Sequence, residues 1–382
     1  MKVKLRIAFV LSCLVASAAQ AGHVPPAGVY ENSTNSPLID LLDSAQKLID
    51  IEIYTMNDPL VQKAVLNALA DGVKVRIVQE PTPVGSSCKI FETNGALDDA
   101  ACTALKAFKA KVEKAGGTYL PFVKKLCGGA TSGCVEHGKM VIVDAKAAML
   151  STGNFDSTSI CNKSQNPEKC NRDYSYIIHY GPAVQVLGQI FERDLKGKPY
   201  DLRAILSRSG AADLTVSPYS LEPLLGFINS AKSSIVVQEQ YLKDPKMNDA
   251  LLAAAKAGVK VKINVASACA FGRPSPNDLK KWEATYSAFE KAGAQIRIFT
   301  KNVRIGGNFG YLHAKAIVVD GKTAWVGSVN GSTQAIGSNR EFGVFFDAPQ
   351  DVQTLLKFMN QDFNDRNGES WRDSMTCRYD AA

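Results

Sequence analysis

The sequence predicts an α/β protein built from two similar halves. The segment that begins at Leu41 recurs 186 positions later, in the segment that begins at Gly226. Self-similarity of this kind indicates a duplicated structural unit. The matched residues are Ala45 with Ala231, Asp58-Pro59 with Asp244-Pro245, and Gly72-Val73-Lys74-Val75 with Gly258-Val259-Lys260-Val261.

Helical and strand patterns alternate in each copy. A helix precedes a strand at 49–54 or 235–241; a second helix then begins near the Asp-Pro pair, ends at the glycine and leads into a strand at 73–78 or 259–265. This alternation favours sheets covered by helices on both faces. We therefore predict two α/β/α sandwich halves with mixed, largely parallel sheets, related by a pseudo-two-fold axis.

One eight-residue stretch, HGKMVIVD, recurs 176 positions later as HAKAIVVD. Both copies read His-x-Lys-x4-Asp, and in both an apolar run typical of a buried strand follows the lysine. Each histidine and its lysine are two residues apart, so on a strand they point to the same face. A turn with glycine and asparagine follows each copy, and then an Asn-Arg-acid-aromatic segment at an offset of 168. The repeated residues are His137 with His313, Lys139 with Lys315, Asp144 with Asp320, Asn154 with Asn330, and Asp173 with Glu341.

A single copy of this stretch is equally compatible with a buried strand whose polar ends reach solvent. Solvated strand ends give no reason for the same polar residues to recur in both halves, so the duplication favours a functional site. The residue types suit phosphodiester cleavage. Histidine, with an unperturbed pKa of about 6.5, can attack phosphorus or carry a proton, and lysine and asparagine can bind the phosphate oxygens.

The doubled motif with its downstream asparagines resembles the signature of the phospholipase D superfamily. The likeness extends from about Leu38 to Phe363. It implies a phosphodiesterase whose active site lies at the interface of the two halves. It also implies a covalent phosphohistidine intermediate and a reaction that needs neither a metal nor another cofactor.

The resemblance assigns roles to the repeated basic and amide residues. His137 is the expected nucleophile, and His313 is the expected general acid and base. The expected phosphate-binding set consists of Lys139, Lys315, Asn154 and Asn330.

Two pairs of acids complete the expected catalytic set. Asp173 and Glu341 match the family's downstream acid, which bonds the far nitrogen of a histidine and fixes its tautomer. Aspartate at the first of these positions departs from the more usual glutamate and shortens the side chain by one methylene. Asp144 and Asp320 belong to the motif, but they lie several residues along the strand from the histidine, so we expect a structural part for them.

Residues 1–21 have the pattern of a secretory signal peptide. Three cations precede an apolar run over 7–19, which is too short to span a bilayer, and Ala19-Gln20-Ala21 fits a cleavage site. Cleavage after Ala21 predicts a secreted or periplasmic protein, with its halves over 22–205 and 206–382. Loss of the three cations lowers the formal charge from +7 to +4, which favours an anionic substrate but is not a mark of nucleic-acid binding.

The cysteines indicate disulfides. Eight of the nine lie beyond the signal segment, an even number that suits an exported protein. The sequence has no CxxC pair, and its histidines do not cluster with cysteines, so a metal site is not indicated. Insertions that carry cysteines lengthen the first half beside the motif residues, and we predict that these loops wall the mouth of the site. Short separations favour Cys88–Cys102, Cys127–Cys134 and Cys161–Cys170.

Three classes of function remain open. Two motifs in one exported chain, with GNFD after the first, favour hydrolysis or transfer of phospholipid headgroups by a monomer that touches membrane surfaces transiently. The alternative is a secreted nuclease of the same superfamily, so nucleic acid stays open as a partner. Nuclease members are often half this length and dimeric, which argues against it. An inactive binding protein is disfavoured because both motifs are intact.

Overall fold

The structure is a computed structural model, and two seven-stranded sheets dominate its described part. The predicted signal peptide lies outside the described residues. The described ranges are 23–83, 88–92, 99–127, 134–161, 170–179, 181–208, 211–270, 274–299 and 310–377.

The first sheet contains the strands that come first in the chain. Its spatial order is β1-β7-β6-β5-β2-β3-β4. The helices of this half are α1 (Asn32–Asn35), α2 (Leu38–Asp43), α3 (Pro59–Ala70), α4 (Ala100–Lys114), α5 (Pro182–Lys196) and α6 (Leu202–Leu206), with a 3-10 turn at Lys124–Leu126. The strands are β1 (Gly28–Glu31), β2 (Leu48–Ile53), β3 (Lys74–Gln79), β4 (Thr118–Pro121), β5 (Lys139–Val143), β6 (Ala147–Ser151) and β7 (Tyr174–His179).

The second sheet repeats the first in topology. Its order is β11-β10-β9-β12-β13-β14-β8, which matches the first sheet read from β4 to β1. The helices are α7 (Leu221–Asn229), α8 (Pro245–Lys256), α9 (Pro276–Lys291), α10 (Thr333–Gly337), α11 (Pro349–Phe363) and α12 (Trp371–Ser374). The strands are β8 (Leu214–Val216), β9 (Ser234–Glu239), β10 (Lys260–Val265), β11 (Gln295–Ile298), β12 (Lys315–Val319), β13 (Thr323–Gly327) and β14 (Phe342–Phe346).

The α/β class, the two similar halves and the mixed sheets are confirmed, but the expectation of largely parallel sheets was wrong. In the first sheet β2–β3 and β3–β4 are parallel, and the other four pairings are antiparallel; the second sheet has the same pattern. The reason is the connection after the histidine strand. β5 returns to β6 through residues 144–146, and so short a link can join only antiparallel neighbours.

The local signals read from the repeat form the expected structures. Asp58 caps α3, its carboxylate accepting from the backbone N–H of Leu60 and Val61, and Pro59 occupies the first turn. The matching Asp244 caps α8 in the same way. These caps fix where each helix leaves the sheet edge that carries the site.

The two halves share their cores. One hydrophobic cluster joins the α5 side of the first sheet to β8 and Phe342 of the second half. Another joins α11 and the second sheet to Tyr174 of the first. α6 crosses the predicted boundary at residue 205, and the division there stays a prediction. Among the described residues, no helix is both long and apolar enough to span a membrane.

The described cysteines form four disulfides, and the three pairings expected from short separations are confirmed. The fourth disulfide links residues 108 positions apart. The loops between Cys127 and Cys134 and between Cys161 and Cys170 lie outside the described residues, so their place at the mouth of the site stays a prediction. The pairs are Cys88–Cys102, Cys127–Cys134, Cys161–Cys170 and Cys269–Cys377.

Removal of the long-range disulfide should destabilise the protein more than removal of a short one. Cys269 and Cys377 enclose a separation of 108 residues, against 7 for Cys127 and Cys134. Loop-closure entropy predicts losses of about 5 and about 2.5 kcal/mol of unfolding free energy, respectively. Urea denaturation of the two double serine variants measures both. Equal losses, or a larger loss for the short loop, would contradict the expectation.

Candidate active site

The histidines and lysines of the two motifs lie where the motif strands begin. His137 lies two residues before the buried Lys139, which begins β5. His313 lies two residues before the buried Lys315, which begins β12. Each lysine donates to the carbonyl oxygen of its own histidine. Lys315 also donates across the halves, to a first-half carbonyl 3.2 Å away. The motif spacing thus folds lysine and histidine into one rigid strand end.

Each histidine is held by an acid from the opposite half. The Nδ1 atom of His137 lies 2.9 Å from a carboxylate oxygen of Glu341. The Nδ1 atom of His313 lies 2.9 Å from a carboxylate oxygen of Asp173. The imidazole of His137 is 14% exposed and that of His313 is 5% exposed, while both acids are fully buried. With Nδ1 engaged, each neutral imidazole keeps its lone pair on Nε2 for chemistry.

Backbone hydrogen bonds also join the two halves here, between the residues around His137 and the Asn-Arg-acid segment of the second half. The N–H of His137 donates to the carbonyl of Arg340 at 2.8 Å, and the N–H of Arg340 donates to the carbonyl of Val135 at 3.0 Å. The side-chain oxygen of Asn339 accepts from the N–H of Val135 at 3.3 Å. Four contacts, counting the acid, therefore tie residues 135–137 to the other half, and two of them are made by His137 itself.

The first half's segment reciprocates. The N–H of His313 donates to the carbonyl of Arg172 at 3.1 Å, and the N–H of Arg172 donates to the carbonyl of Tyr311 at 2.9 Å. Asn171 accepts from the N–H of Tyr311 at 3.2 Å. Reciprocal contacts between matched residues are the mark of a two-fold relation, and they support the predicted pseudo-two-fold axis.

The arginine of each segment is anchored in the opposite half. Arg340 forms a two-pronged ion pair with Asp194 on α5, at 2.8 and 3.2 Å. Arg172 forms one with Asp362 on α11, at 2.8 and 2.9 Å. Sequence reasoning missed both pairs. A signal was present, because the arginines and the aspartates each recur at the offset of 168 that relates Asp173 to Glu341.

The electrostatic environments of the two histidines differ. Burial lowers the pKa of His137 well below its usual value, and the nearby positive charges of Lys139 and Lys315 lower it further. Burial also lowers the pKa of His313, but the carboxylate of Asp173 opposes that shift. His313 therefore remains protonated more readily than His137.

The acids and lysines show the same asymmetry. Burial raises the pKa of Glu341 to about 8, whereas His313 overcomes burial and lowers the pKa of Asp173. Burial also lowers the pKa of Lys139 to about 7 and that of Lys315 to about 8. Desolvated lysines of this kind regain their protons when an anion enters beside them, so the site suits a phosphate group.

The two motif asparagines lie in matching positions, three residues after the ends of β6 and β13. Asn154 and Asn330 each bury a side-chain oxygen to which no described group donates. A buried amide without a partner points to a ligand or water. Gly153 precedes Asn154 because a Cβ at that position would lie 2.7 Å from the carboxyl group of Asp173.

Tyrosines line the histidines, and sequence reasoning missed them. The ring of Tyr54 packs edge-on against His137, with centroids 4.9 Å apart. Tyr311 packs in the same way against His313, at 5.8 Å. At the repeat offsets Tyr311 is matched by Val135 and Tyr54 by Gln240, so the repeat carries no signal for either ring.

Within the described ranges, no group of three or more histidine, cysteine or acidic side chains is arranged to hold a metal ion. The cations that lie beside the histidines are the two lysines.

Comparison with known proteins identifies the family. The family model described as "Cardiolipin synthase, PLD-like domain" matches residues 38–195 and 224–363. The chain belongs to the phospholipase D superfamily. The matched segments contain both histidines, both lysines and both downstream acids of the site.

Relatives share the family at low identity. A cardiolipin synthase of Clostridium perfringens is 24% identical over 352 residues, and the match covers 82% of this chain and 65% of that protein. The chain thus matches less than two thirds of the length of that curated relative.

Two solved structures share the fold. A phosphatidylserine synthase from Haemophilus influenzae superposes with a TM-score of 0.58 at 13% identity, covering 90% of this chain and 87% of that one. A polyphosphate kinase from Porphyromonas gingivalis gives 0.56 at 14% identity, covering 86% and 48%.

The structure places Asp144 and Asp320 away from the histidines of the site, in positions that suit the structural part expected for them. Asp144 lies at the far end of β5 from His137, where its carboxylate accepts from the backbone N–H groups of residues 46–48. Asp320 accepts in the same way from residues 232–234. These aspartates fix the start of β2 and β9, the strands that pair with the motif strands.

Replacement of Asp320 with asparagine should lower the melting temperature at pH 7, and the difference should shrink as the pH falls. Partial burial raises the pKa of Asp320, but hydrogen bonds from residues 232–234 outweigh this effect and lower it below its usual value. Stability from a depressed carboxyl pKa is present above the unfolded value of about 4 and is lost as the pH falls through the native one. Calorimetry from pH 7 to pH 3 tests this, with Asp249→Asn on the exposed face of α8 as control. A difference that does not depend on pH would contradict it.

Proposed function

We propose that this protein is a phospholipase D-type phosphodiesterase that acts on phospholipids through a covalent phosphohistidine, without a metal. One observation carries the proposal. Two imidazoles from opposite halves are each oriented through Nδ1 by a buried acid, beside two buried lysines. The arrangement supplies a nucleophile, a proton donor and two cations for one phosphate.

The reaction follows from the protonation states. Neutral His137 attacks phosphorus through Nε2, while protonated His313 gives its Nε2 proton to the departing alkoxide, which leaves as an alcohol. A phosphohistidine remains on His137. His313, now neutral, takes a proton from water or from an acceptor alcohol, whose oxygen attacks the same phosphorus and releases His137.

The electrostatics support this order of roles. Burial lowers the pKa of His137 well below its usual value, so its imidazole is neutral near pH 7. The contact of Nδ1 with Glu341 directs Nε2 to the substrate. Asp173 is ionised and faces His313, which favours the imidazolium there. A neutral nucleophile and a protonated acid are the states that the first step requires.

The lipid substrate rests on the relatives rather than on the geometry. A relative with the name cardiolipin synthase matches most of this chain, and a phosphatidylserine synthase shares its fold. Both names belong to enzymes that make phospholipids, which supports a phospholipid as donor. Water or an alcohol can serve as acceptor, since both reach the same intermediate.

Export is part of the proposal. The N-terminal pattern predicts a signal peptide cleaved after Ala21, and the four disulfides suit an oxidising compartment. N-terminal sequencing of the protein recovered from a periplasmic or culture fraction tests this directly. An uncleaved N-terminus, or a protein confined to the cytoplasm, would contradict it.

The decisive experiment is a substrate panel run in EDTA. Vesicles of phosphatidylglycerol, phosphatidylcholine and phosphatidylethanolamine should yield phosphatidic acid with water, or a new phospholipid with an added alcohol. Plasmid DNA is the competing substrate. His137→Asn should abolish turnover, whereas the same change at His179, at the opposite end of β7 from the site, serves as control. Cleavage of DNA alone would replace the lipid proposal with a nuclease, and activity restored only by a divalent ion would refute the metal-free mechanism.

Substitution of the two histidines should separate their roles. His313→Asn should lower turnover by about 10²–10⁴-fold by removing the acid and base, and it should accumulate phosphoenzyme because hydrolysis of the intermediate slows. His137→Asn should form none. Rapid quench with a phosphorus-labelled substrate and alkaline gel electrophoresis detects the adduct. If phosphoenzyme formed in His137→Asn but not in His313→Asn, the roles of nucleophile and acid would have to be exchanged between the two histidines.

The value of kcat/KM should fall from about pH 7 upward. Burial lowers the pKa of Lys139 to about 7 and that of Lys315 to about 8 in the free protein, and only the protonated lysines bind phosphate. A bound phosphate keeps them protonated, so kcat should fall less than kcat/KM. Steady-state kinetics from pH 6 to 9 checks both, and a kcat/KM that is flat to pH 9 would contradict the expectation.

A further inference from the structure

The buried arginine–aspartate pairs belong to two larger networks that the duplication made from one. In each network the arginine and aspartate are joined by one residue of a central strand and by the aromatic residue two positions after the arginine. Every member of one network has its counterpart at an offset of 168 or 186. The matched members are Arg172 with Arg340, Asp362 with Asp194, Gln238 with Glu52, and Tyr174 with Phe342.

The network of Arg172 is fully hydrogen-bonded. The amide Nε2 of Gln238 donates to Oδ2 of Asp362 at 2.8 Å. The hydroxyl of Tyr174 donates to the amide oxygen of Gln238, also at 2.8 Å. Asp362 therefore receives an N–H from Gln238 in addition to the two from Arg172.

The network of Arg340 differs at two positions at once. Glu52 replaces the glutamine, and Phe342 replaces the tyrosine, so the aromatic residue has no hydroxyl to donate. Glu52 is fully buried on β2, and no described N–H or O–H group donates to either of its oxygens. The side chain that faces it most closely is another carboxyl group, that of Asp194.

Two carboxylates can form a hydrogen bond only when one of them carries a proton. Asp194 already accepts from Arg340 and from the hydroxyl of Tyr200, at 2.8 to 3.2 Å. Both carboxylate oxygens of Asp194 are thus already acceptors. The proton must therefore lie on Glu52, at the place where the matching network has an amide N–H.

We propose that Glu52 is held as a neutral carboxylic acid that donates a hydrogen bond to Asp194 and so completes the anchor of Arg340. Glu52 is a positioning residue in this account. Arg340 carries the backbone carbonyl that receives the N–H of His137, and Glu341 follows it directly. The proposal concerns the frame around His137 and holds whether or not the proposed reaction is correct.

The charges around Glu52 favour the neutral form. Asp194 on α5, Glu136 before β5 and Arg340 before β14 all act on it, and Tyr200 shares the same pocket. Burial, Asp194 and Glu136 raise the pKa of Glu52 well above its usual value, and Arg340 only partly offsets them.

Neighbouring charges on the same face of the sheet are already paired. Asp50, two residues earlier on β2, binds Arg76, which also contacts Glu192 on α5. Ionised Glu52 would thus be an additional buried anion beside one guanidinium that Asp194 already occupies, and such an uncompensated charge is costly.

The consequence is a dependence of stability on pH that comes from one side chain. A carboxyl with a raised native pKa stabilises the fold fully below its unfolded pKa, about 4.3. The stabilisation is then lost as the pH rises towards the native pKa, because the folded state alone keeps the proton. Glutamine at position 52 donates the same hydrogen bond without titrating.

Urea denaturation from pH 5 to pH 9 of wild type, Glu52→Gln and Gln238→Glu tests the proposal, and it needs no substrate. The ratio of folding constants, Glu52→Gln over wild type, should rise about tenfold per pH unit across the lower part of this range, since one proton is involved. The glutamine variant should be at least as stable as wild type at pH 7.

The mirror variant provides an independent arm. Gln238→Glu puts the carboxyl into the other network, so its folding constant relative to wild type should fall as the pH rises. Other buried carboxyls titrate in all three proteins and cancel in the ratios.

Three results would overturn the proposal. Glu52→Gln could be less stable than wild type by a margin that grows with pH, as expected if Glu52 is ionised and paired with Arg340. Its ratio to wild type could be independent of pH. Gln238→Glu could show no pH-dependent loss, which decides the question even if Glu52→Gln fails to fold.

Discussion

The exchange of the two Asn-Arg-acid segments is the constraint on which the rest of the structure depends. Each segment leaves its own sheet and pairs with the residues just before the other half's histidine. Its acid binds that histidine, and its arginine is anchored in the other half's last long helix. Separation of the halves would therefore remove the acid, the backbone partner and the packing of both imidazoles together. The shared hydrophobic clusters hold this exchange in place.

The sequence predicted which residues form the site better than it predicted which of them contact one another. Doubled spacing identified both histidines, both lysines and both downstream acids, because a repeat shows which residues are kept together. Offsets within a repeat cannot show that Asp173 serves His313 and not His137, since that choice is made by packing between halves. The sheets were misjudged for a related reason: the helix-linked strands have clear periodicity, whereas the hairpin after each motif depends on a turn of three residues. Tyr54 and Tyr311 have no tyrosine at the matching repeat positions, so only the three-dimensional structure shows that they pack on the histidines.

Two half-sites made by duplication are useful only if they differ. In the proposed reaction one histidine attacks while the other gives a proton, which requires their proton affinities to diverge. The divergence is visible in the acids, where the pKa of Glu341 is raised to about 8 by burial and that of Asp173 is lowered by His313. The two halves also differ in the networks that anchor the arginines, where Glu52 and Phe342 of one network match Gln238 and Tyr174 of the other. The symmetric frame sets the geometry, and a few unmatched residues set the chemistry.

The central claim is that both halves build a single phosphate site. A crystal structure with tungstate, an oxyanion that mimics phosphate, tests it most directly. The account predicts one tungstate per chain, within bonding distance of the Nε2 atoms of both His137 and His313 and in contact with Lys139 and Lys315. Two separate ions, each bound to one half, or an ion that meets only one histidine, would contradict it.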